Sequence, residues 1–250
     1  MSRTKIIGGN WKMNLNQAEA QALAGALRQK VCGSAEVVVF PPFPYLIPVS
    51  GALAGSAIAV GAQDFWTKPS GAFTGEVSLA QIKDCGAAWA LVGHSERRHV
   101  IGERDALLND KVHAALLAGV KVILCVGEQL AERESGKTDA INAGQLSLGL
   151  AGVSAEQMKD VVVAYEPVWA IGTGKTATPA DAQAAHKAIR AHLAAMFGAA
   201  TAAAVRIQYG GSMNAANAAE LMAQPDIDGG LIGGAALKPD DFAAIVAAAK

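Results

Sequence analysis

The chain has 250 residues, of which 52% are hydrophobic and 17% charged, so it can bury a large core and is not a disordered protein. Its 21 Lys and Arg residues nearly balance 22 Asp and Glu residues, which gives a formal net charge of −1. The sequence has no basic stripe and no mixing of aromatic with basic side chains, so we expect no nucleic-acid partner.

The cysteines and the apolar stretches bear on the compartment. Cys32, Cys85 and Cys125 lie far apart without a CxxC pair, which is typical of a reducing compartment and argues against a disulfide framework. The N-terminal residues enter a strand-like run without a signal-peptide pattern. Lys121 interrupts the best candidate for a membrane span. We therefore expect a soluble, cytoplasmic protein with no membrane partner.

Short runs of strand-forming residues recur along the chain and alternate with alanine-rich stretches that favour helix. The eight predicted strands are Lys5–Gly9, Glu36–Phe40, Ala57–Ala62, Ala88–Val92, Val120–Val126, Val161–Tyr165, Ala204–Tyr209 and Gly229–Ile232. The predicted helices include Gln17–Lys30, Ala106–Ala118, Ala180–Phe197, Ala215–Ala223 and Asp240–Ala249. This alternation indicates βαβ units and an α/β fold with a parallel sheet.

The number of units favours one closed barrel over a doubly wound sheet. Eight strand–helix units in about 250 residues are typical of a (β/α)8 barrel, and no linker or low-complexity segment divides the chain. We therefore predict a single barrel domain over residues 1–250. Helix starts are clearly marked, as in Thr178-Pro179-Ala180-Asp181, which offers an N-cap followed by proline at the first helical position.

A barrel of this kind carries its chemistry where the strands end and in the loops that follow them. The polar and glycine-rich residues at these places are Asn10, Lys12, Gln63, Asp64, His94, Ser95, Glu96, Cys125, Glu128, Glu166, Gly210-Gly211-Ser212 and Gly233-Gly234. We expect these residues to converge on one mouth of the barrel.

Glu166 ends the sixth predicted strand and precedes a Pro-Val-Trp segment and then glycines that can hinge. A carboxylate held by a strand beside a bendable flap suits a proton transfer that must be protected from water. The alternative interpretation is a solvated glutamate before an ordinary turn.

His94 lies in Gly93-His94-Ser95-Glu96-Arg97-Arg98, where Ser95 is a good N-cap. We expect the positive end of the following helix to lower the pKa of His94 and to favour the neutral ring, which can still donate a hydrogen bond to an oxyanion. The alternative is a structural histidine. Its spacing to His99 does not fit a metal pair on one helix face, and the sequence predicts no metal site.

Lys12 follows the first predicted strand by two residues and could counter the charge of an anionic substrate. A solvated surface lysine is the alternative. Glu96 could pair with Lys12 in the resting site, while Arg97 and Arg98 are predicted to form structural ion pairs.

The two late loops with paired glycines could point backbone N–H groups at a phosphate, at the usual phosphate site of a barrel. The alternative is that the glycines only turn the chain. A P-loop is rejected because Trp169 stands five residues before Gly174, where that motif has glycine. The dinucleotide-like match at 172–177 lies too far from its strand, and Ser212 is not in a GxSxG elbow.

The motifs together resemble one known family in order and spacing. The segments that carry the resemblance are Asn10-Trp11-Lys12, Gly93 to Arg98, Cys125 to Glu128, Ala164 to Gly174, Tyr209 to Ser212 and Ile232 to Leu237. They resemble triosephosphate isomerases from the first strand to the last helix. The resemblance implies a TIM barrel. Triosephosphate isomerases are a well-known example both of this barrel architecture and of pKa tuning in an active site.

The resemblance implies interconversion of dihydroxyacetone phosphate and D-glyceraldehyde 3-phosphate through an enediolate, in glycolysis and gluconeogenesis, without a cofactor. It assigns the carbon proton transfers to Glu166 and polarisation of the carbonyl to neutral His94. Lys12 counters negative charge and Asn10 bonds the reacting oxygens.

The resemblance also implies phosphate ligands and a partner. Backbone N–H groups of Gly172, Ser212, Gly233 and Gly234 grip the phosphate, and a flap over 167–175 closes over it. The family is usually homodimeric through the loop at 64–76, whose Thr74 approaches Lys12 and His94 of the neighbour. Glu96 and Cys125 are expected to support the site. Ile101 departs from the family pattern, since many relatives carry an aromatic residue there.

Two other functions remain open at this point. Another phosphate-binding barrel enzyme, such as a lyase or synthase, needs a Schiff-base lysine inside a strand, and Lys12 and Lys121 fit that poorly. A barrel used only for binding should have lost at least one of Lys12, His94 and Glu166, and this chain keeps all three.

Overall fold

A computed structural model of the chain describes residues 3–170 and 177–249. Within these residues eight parallel strands pair in sequence order, and the last pairs with the first to close a barrel. The strands are β1 Ile6–Asn10, β2 Glu36–Phe40, β3 Ile58–Ala62, β4 Trp89–Val92, β5 Lys121–Val126, β6 Val161–Tyr165, β7 Ile207–Tyr209 and β8 Gly229–Ile232. The predicted (β/α)8 TIM barrel is confirmed.

Helices follow the strands and form the outer layer. The α-helices are α1 Gln17–Lys30, α2 Leu46–Leu53, α3 Leu79–Asp84, α4 Asp105–Leu117, α5 Leu130–Glu134, α6 Thr138–Gly149, α7 Pro179–Phe197, α8 Ala199–Ala204, α9 Ala218–Met222 and α10 Pro239–Ala248. Short 3-10 turns span Phe43–Tyr45, Gln157–Asp160, Val168–Ala170 and Gly234–Leu237, and Arg97–Ile101 is a π-helical turn. No helix among the described residues is long and apolar enough to cross a membrane.

The strands separate two layers of core because successive side chains point to opposite faces. In β2, for example, Val38 and Phe40 fill the barrel interior, whereas Val37 and Val39 pack against the helices. Strands that are buried on both faces need continuous apolar runs, and this need explains why the sequence signal for them is strong.

Several helix starts follow their sequence signals. Thr178 caps α7 by accepting a hydrogen bond from the Asp181 N–H, and Pro179 holds the first helical position, as predicted. Asn16 and Glu19 form the corresponding reciprocal cap at the start of α1. The starts of α1 and α7 are therefore fixed by local capping interactions.

The seventh predicted strand, Ala204–Tyr209, is wrong in its first half. The alanine-rich segment Ala199–Ala204 forms α8. The Val205 N–H donates to Thr201 O and completes the last turn of this helix, so the strand begins only at Ile207. The predicted helix Ala215–Ala223 also begins late. Asn214 accepts hydrogen bonds from the Ala216 and Asn217 N–H groups and turns the chain before α9.

Candidate active site

A cavity of about 360 Å³ opens where the strands end, at the carboxyl face of the barrel. The four residues predicted to be catalytic line it, together with the two glycine-rich loops: Asn10, Lys12, His94, Glu166, Gly210, Gly211, Ser212, Gly233 and Gly234. These residues come from the ends of β1, β4, β6, β7 and β8. The parallel barrel therefore brings together groups that are up to 224 residues apart in the sequence.

Glu166 follows β6 directly and is buried. Its backbone N–H donates to Val126 O at 2.7 Å, which extends the pairing of β6 with β5 by one residue. Its carboxylate accepts from the Ser95 N–H at Oε2 and lies against His94 Nε2 at Oε1, both at 2.9 Å. A buried carboxylate is thus held by two donors from the loop after β4.

His94 is positioned by a turn that only glycine adopts easily. Gly93 has φ +72°, and the His94 carbonyl accepts hydrogen bonds from the Arg97 and Arg98 N–H groups. His94 Nδ1 accepts from the Glu96 N–H at 3.3 Å. Because Nδ1 is the acceptor, the ring hydrogen lies on Nε2, which faces Glu166.

Two expectations for this loop were wrong. Ser95 is not the residue before the helical turn but its first residue, and the His94 ring takes the capping role through Nδ1. The pKa of His94 is raised rather than lowered. Burial lowers it, but the adjacent Glu166 carboxylate outweighs burial, with a smaller contribution from Glu96.

The pKa of Glu166 moves in the opposite direction. Burial alone raises it, but the His94 ring and the Ser95 N–H stabilise the carboxylate and lower the pKa below its usual value. Glu166 is therefore a weak base in this arrangement. Without these two donors the same carboxylate would be a stronger base.

Lys12 occupies an unusual backbone conformation beside the cavity. Its φ is +53°, in the left-handed region, and its N–H donates to Asn10 Oδ1 at 2.9 Å. Its ammonium pairs with Glu96 at 2.7 Å, so the resting pair that the sequence suggested is present. The Lys12 side chain is 28% exposed and that of Glu96 49%, so an anion can displace this partner.

Arg97 and Arg98 form the ion pairs predicted for them. Arg98 pairs with Asp105 at 2.6 Å and also donates to Gly93 O and Cys125 O, which fixes the loop before His94. Arg97 contacts Asp64 and Glu103 at 2.9 and 2.7 Å. Both arginines thus hold the loop after β4 from outside the cavity.

The phosphate-binding candidates lie in the last two loops of the barrel. Because β8 pairs with β1, Gly233 lies beside Lys12, and a Cβ added to it would be 3.4 Å from Lys12 Cε. Gly210–Ser212 follow β7, and Gly233–Gly234 follow β8 and lead into the 3-10 turn Gly234–Leu237. Gly234 lines the cavity, and a Cβ added to it would meet no atom within 4 Å. Gly172 and residues 171–175 of the flap predicted over 167–175 lie outside the described residues.

Glu128 follows the end of β5, and the sequence alone indicates no role for it. It is completely buried, and its Oε1 accepts from Tyr165 Oη at 3.0 Å and Trp169 Nε1 at 2.9 Å. Val168 N–H also donates to Glu128 O. Glu128 therefore anchors the Val168–Ala170 turn that follows Glu166.

The two other supporting residues differ in position. Cys125 is buried in the barrel interior, and burial, together with the nearby Glu166, raises the pKa of its thiol well above the usual value. Its thiol therefore stays protonated. Thr74 is exposed on the loop after β3 and does not line the cavity of its own chain. Among the residues described, no three His, Cys, Asp or Glu side chains are grouped to hold a metal ion.

The arrangement fits proton transfer on a small anion. It combines a carboxylate that can act as base, a ring N–H that can bond a developing oxyanion, an ammonium group and two glycine-rich loops. All of them face a cavity large enough for a small phosphorylated molecule and too small for a polymer.

Comparison with known proteins gives a consistent result. The family model described as "Triosephosphate isomerase" matches residues 5–249. A triosephosphate isomerase of Thiobacillus denitrificans is 56% identical over 247 residues, covering 99% of both chains. The triosephosphate isomerase of Herpetosiphon aurantiacus is 53% identical, and the match covers 98% of both chains. That of Symbiobacterium thermophilum is also 53% identical, and the match covers 99% of this chain and 97% of the relative.

Proposed function

The chain belongs to the triosephosphate isomerase family, and we propose how its residues carry out the reaction. It is an aldose–ketose isomerase that interconverts dihydroxyacetone phosphate and D-glyceraldehyde 3-phosphate. The observation that carries the assignment of roles is the contact between buried Glu166 and His94 at the edge of a cavity that Lys12 also lines. A reaction that only moves protons between neighbouring atoms needs no cofactor.

Glu166 is the proposed base for carbon. It takes the proton from the carbon beside the carbonyl and returns it to the neighbouring carbon, which gives an enediolate between the two steps. General-base assistance contributes roughly 10²- to 10⁴-fold, so charge stabilisation must supply the rest of an efficient rate. The contacts of Glu166 with His94 and the Ser95 N–H are then features of the resting site, which substrate replaces.

His94 and Lys12 are the proposed stabilisers of the enediolate. The Nε2–H of His94 donates to the substrate oxygen once Glu166 has turned to the carbon. His94 then moves the hydroxyl proton from one enediolate oxygen to the other, so that carbonyl and hydroxyl exchange places. The carboxylate that raises the pKa of His94 then no longer accepts its hydrogen bond, and burial favours the neutral ring. Lys12 exchanges Glu96 for the negative charge of the substrate, and Asn10 bonds the reacting oxygens.

The substrate phosphate is proposed to bind the backbone N–H groups of Ser212, Gly233 and Gly234. These loops follow the seventh and eighth strands, where barrels most often bind phosphate. Gly172 is a further proposed ligand, by resemblance to the family alone.

A coupled assay with D-glyceraldehyde 3-phosphate tests the activity, and borohydride trapping tests the main alternative. The parent chain should form dihydroxyacetone phosphate without added metal or cofactor, and its mass should not change after incubation with substrate and borohydride. A trapped lysine adduct at Lys12 or Lys121 would indicate Schiff-base chemistry instead. Absence of turnover by a folded chain that binds phosphate would support the non-catalytic alternative.

We propose that the chain forms a homodimer through the loop at 64–76, with Thr74 of each chain approaching Lys12 and His94 of the other. A second cavity of about 640 Å³ lies beside the site and is lined by Lys12, His94 and Glu96. It is bordered by exposed apolar side chains, with Met13 95% exposed. An apolar patch of this kind is typical of an interface.

The oligomer proposal is tested by light scattering with Thr74→Arg. The parent should have twice the 25.5 kDa of one chain. The variant should shift to the single-chain mass and lose activity, since the arginine cannot enter the second cavity. A parent that is fully active at 25.5 kDa would contradict the proposal.

We further propose that residues 1–250 form one domain that acts in the cytoplasm, in glycolysis and gluconeogenesis, without nucleic-acid or membrane partners. The near-neutral net charge and the low fraction of charged residues in the chain support this proposal. Cell fractionation with activity measured in each fraction tests it.

A further inference from the structure

Gln63 joins the ends of three neighbouring strands. It follows β3 directly and is half-buried. Its single amide nitrogen, Nε2, donates to the Lys12 carbonyl at 2.8 Å and to the Phe40 carbonyl at 2.9 Å. The first carbonyl lies just beyond β1 and the second at the end of β2. Gln63 therefore continues the sheet pairing with a side chain where the backbone pairing stops.

The Lys12 backbone needs such support. At φ +53° it lies in a region that L-residues with a side chain seldom occupy, and neighbouring structure has to hold it there. Side chains hold both of its peptide groups, because Asn10 Oδ1 accepts from its N–H and Gln63 donates to its carbonyl. The direction in which the Lys12 side chain leaves the backbone, and hence the position of its ammonium, depends on these two bonds.

We propose that Gln63 is a positioning residue for the isomerase reaction, which acts by holding Lys12 in its left-handed conformation so that the ammonium points into the cavity. This inference rests on the proposed role of Lys12. Glutamine fits the task because one nitrogen carries two hydrogens, which reach two carbonyl oxygens at once. Glutamate can only accept when ionised, and asparagine is one methylene shorter.

The first test compares Gln63→Met with a matched control. Asn109 also donates from one amide nitrogen to two carbonyls, those of Gly149 and Ala151, both at 3.0 Å, and it lies on α4 away from the cavity. Gln63→Met should lower kcat/KM roughly 10- to 100-fold, the scale of a small displacement of a catalytic group. Asn109→Leu should stay within about threefold of the parent. Equal losses in the two variants would overturn the inference.

A double-mutant cycle with Lys12→Ala separates positioning from a general structural effect. The measured quantity is the affinity for inorganic phosphate, by isothermal titration. Gln63→Met should weaken phosphate binding in the parent but should cause no further weakening in the Lys12→Ala background. Equal weakening in both backgrounds would show that Gln63 does not act through Lys12.

The proposed roles of Lys12 and Gln63 can be refuted separately. If Lys12→Ala keeps parental turnover, the proposed role of Lys12 is wrong. If Lys12→Ala is impaired but Gln63→Met behaves like Asn109→Leu, only the inference about Gln63 is wrong. Should Gln63→Met fold poorly, Gln63→Glu preserves the shape and places an acceptor against two carbonyls. It should lose at least as much activity, and parental kcat/KM for this variant would also overturn the inference.

Discussion

The two ends of the barrel use the same kinds of charged residues in different ways. At the amino ends of the strands, here called the floor, Asp228 accepts from Arg3 at 2.6 Å, Arg190 at 2.7 Å and the Ile207 N–H at 2.9 Å. Arg190 also pairs with Asp226 at 2.6 Å. These groups bond one another and do not line the site cavity.

At the carboxyl ends of the strands, here called the mouth, the charged groups also have protein partners, but they line a cavity. Glu166 contacts His94, and Lys12 contacts Glu96, and three of these four groups face the space where substrate is proposed to bind. A charged group therefore contributes stability where its partners are permanent, and it can serve chemistry where a ligand can replace them.

The largest expected effect is on the mouth. Glu166→Gln removes the carboxylate but keeps the shape and should lower kcat by about 10³-fold or more, because a neutral amide cannot take a proton from carbon. Unfolding midpoint and phosphate affinity should stay close to the parent. The coupled assay measures turnover, and a kcat within tenfold of the parent would contradict the role of Glu166.

A change to the floor should have the opposite result. Asp228→Ala leaves Arg190 without one of its two carboxylate partners and leaves the Ile207 N–H unpaired, which should cost about 3 to 5 kcal/mol of unfolding free energy. Urea denaturation measures this loss. Turnover per folded molecule should not change. A selective loss of kcat with normal stability would contradict the assignment of the floor charges to stability and the mouth charges to turnover.

A third prediction concerns His186 on α7, which is completely buried between the rings of Tyr165 and Tyr209. Its Nδ1 donates to Asp226 O, and no described group bonds its Nε2. Burial lowers the pKa of His186 to about 4. The unfolded chain therefore binds a proton at His186 more readily than the folded chain does. The free energy of unfolding should then fall as the pH drops from about 6.5 to about 4.

The loss attributable to His186 should be on the order of 3 kcal/mol across that window. Chemical denaturation of the parent and of His186→Gln between pH 7 and pH 4 measures it. The variant should show a flatter pH dependence than the parent, and parallel curves would contradict the assignment.

The smallest expected effect lies in the helix layer, away from both ends. Gly25 is inside α1, and a Cβ added to it meets no atom within 4 Å. Gly25→Ala should therefore raise the unfolding free energy by about 0.5 to 1 kcal/mol through helix propensity. Turnover should be unchanged, and a change in kcat would mean that the helix layer is not independent of the mouth.

The sequence predicts the strands well because each is a short apolar run buried on both faces. The bounds of β2, β6 and β8 match the prediction, as do those of α1, whose Asn16 and Glu19 form a capping box. The prediction fails where local preferences conflict. Alanines before β7 favour helix strongly enough to take over the first half of the predicted strand.

In the site, the sequence identifies residues but not their mutual influence. Asn10, Lys12, His94 and Glu166 line one cavity, as a barrel requires. The pKa of His94 was predicted with the wrong sign because only the local helix start is visible in the sequence, whereas Glu166 is 72 residues away. The bonds of Gln63 and Glu128 are similarly long-range, and only their positions after strands hinted at a function.

The most direct test of the account follows hydrogen exchange at carbon. Dihydroxyacetone phosphate is incubated in D₂O with the parent, with Glu166→Gln or with Asp228→Ala, and the carbon-bound protons are followed by NMR. The parent and Asp228→Ala should exchange one proton of the carbon beside the carbonyl for deuterium, while Glu166→Gln should leave both protons in place. Exchange by Glu166→Gln at a rate near that of the parent would show that another group removes the proton.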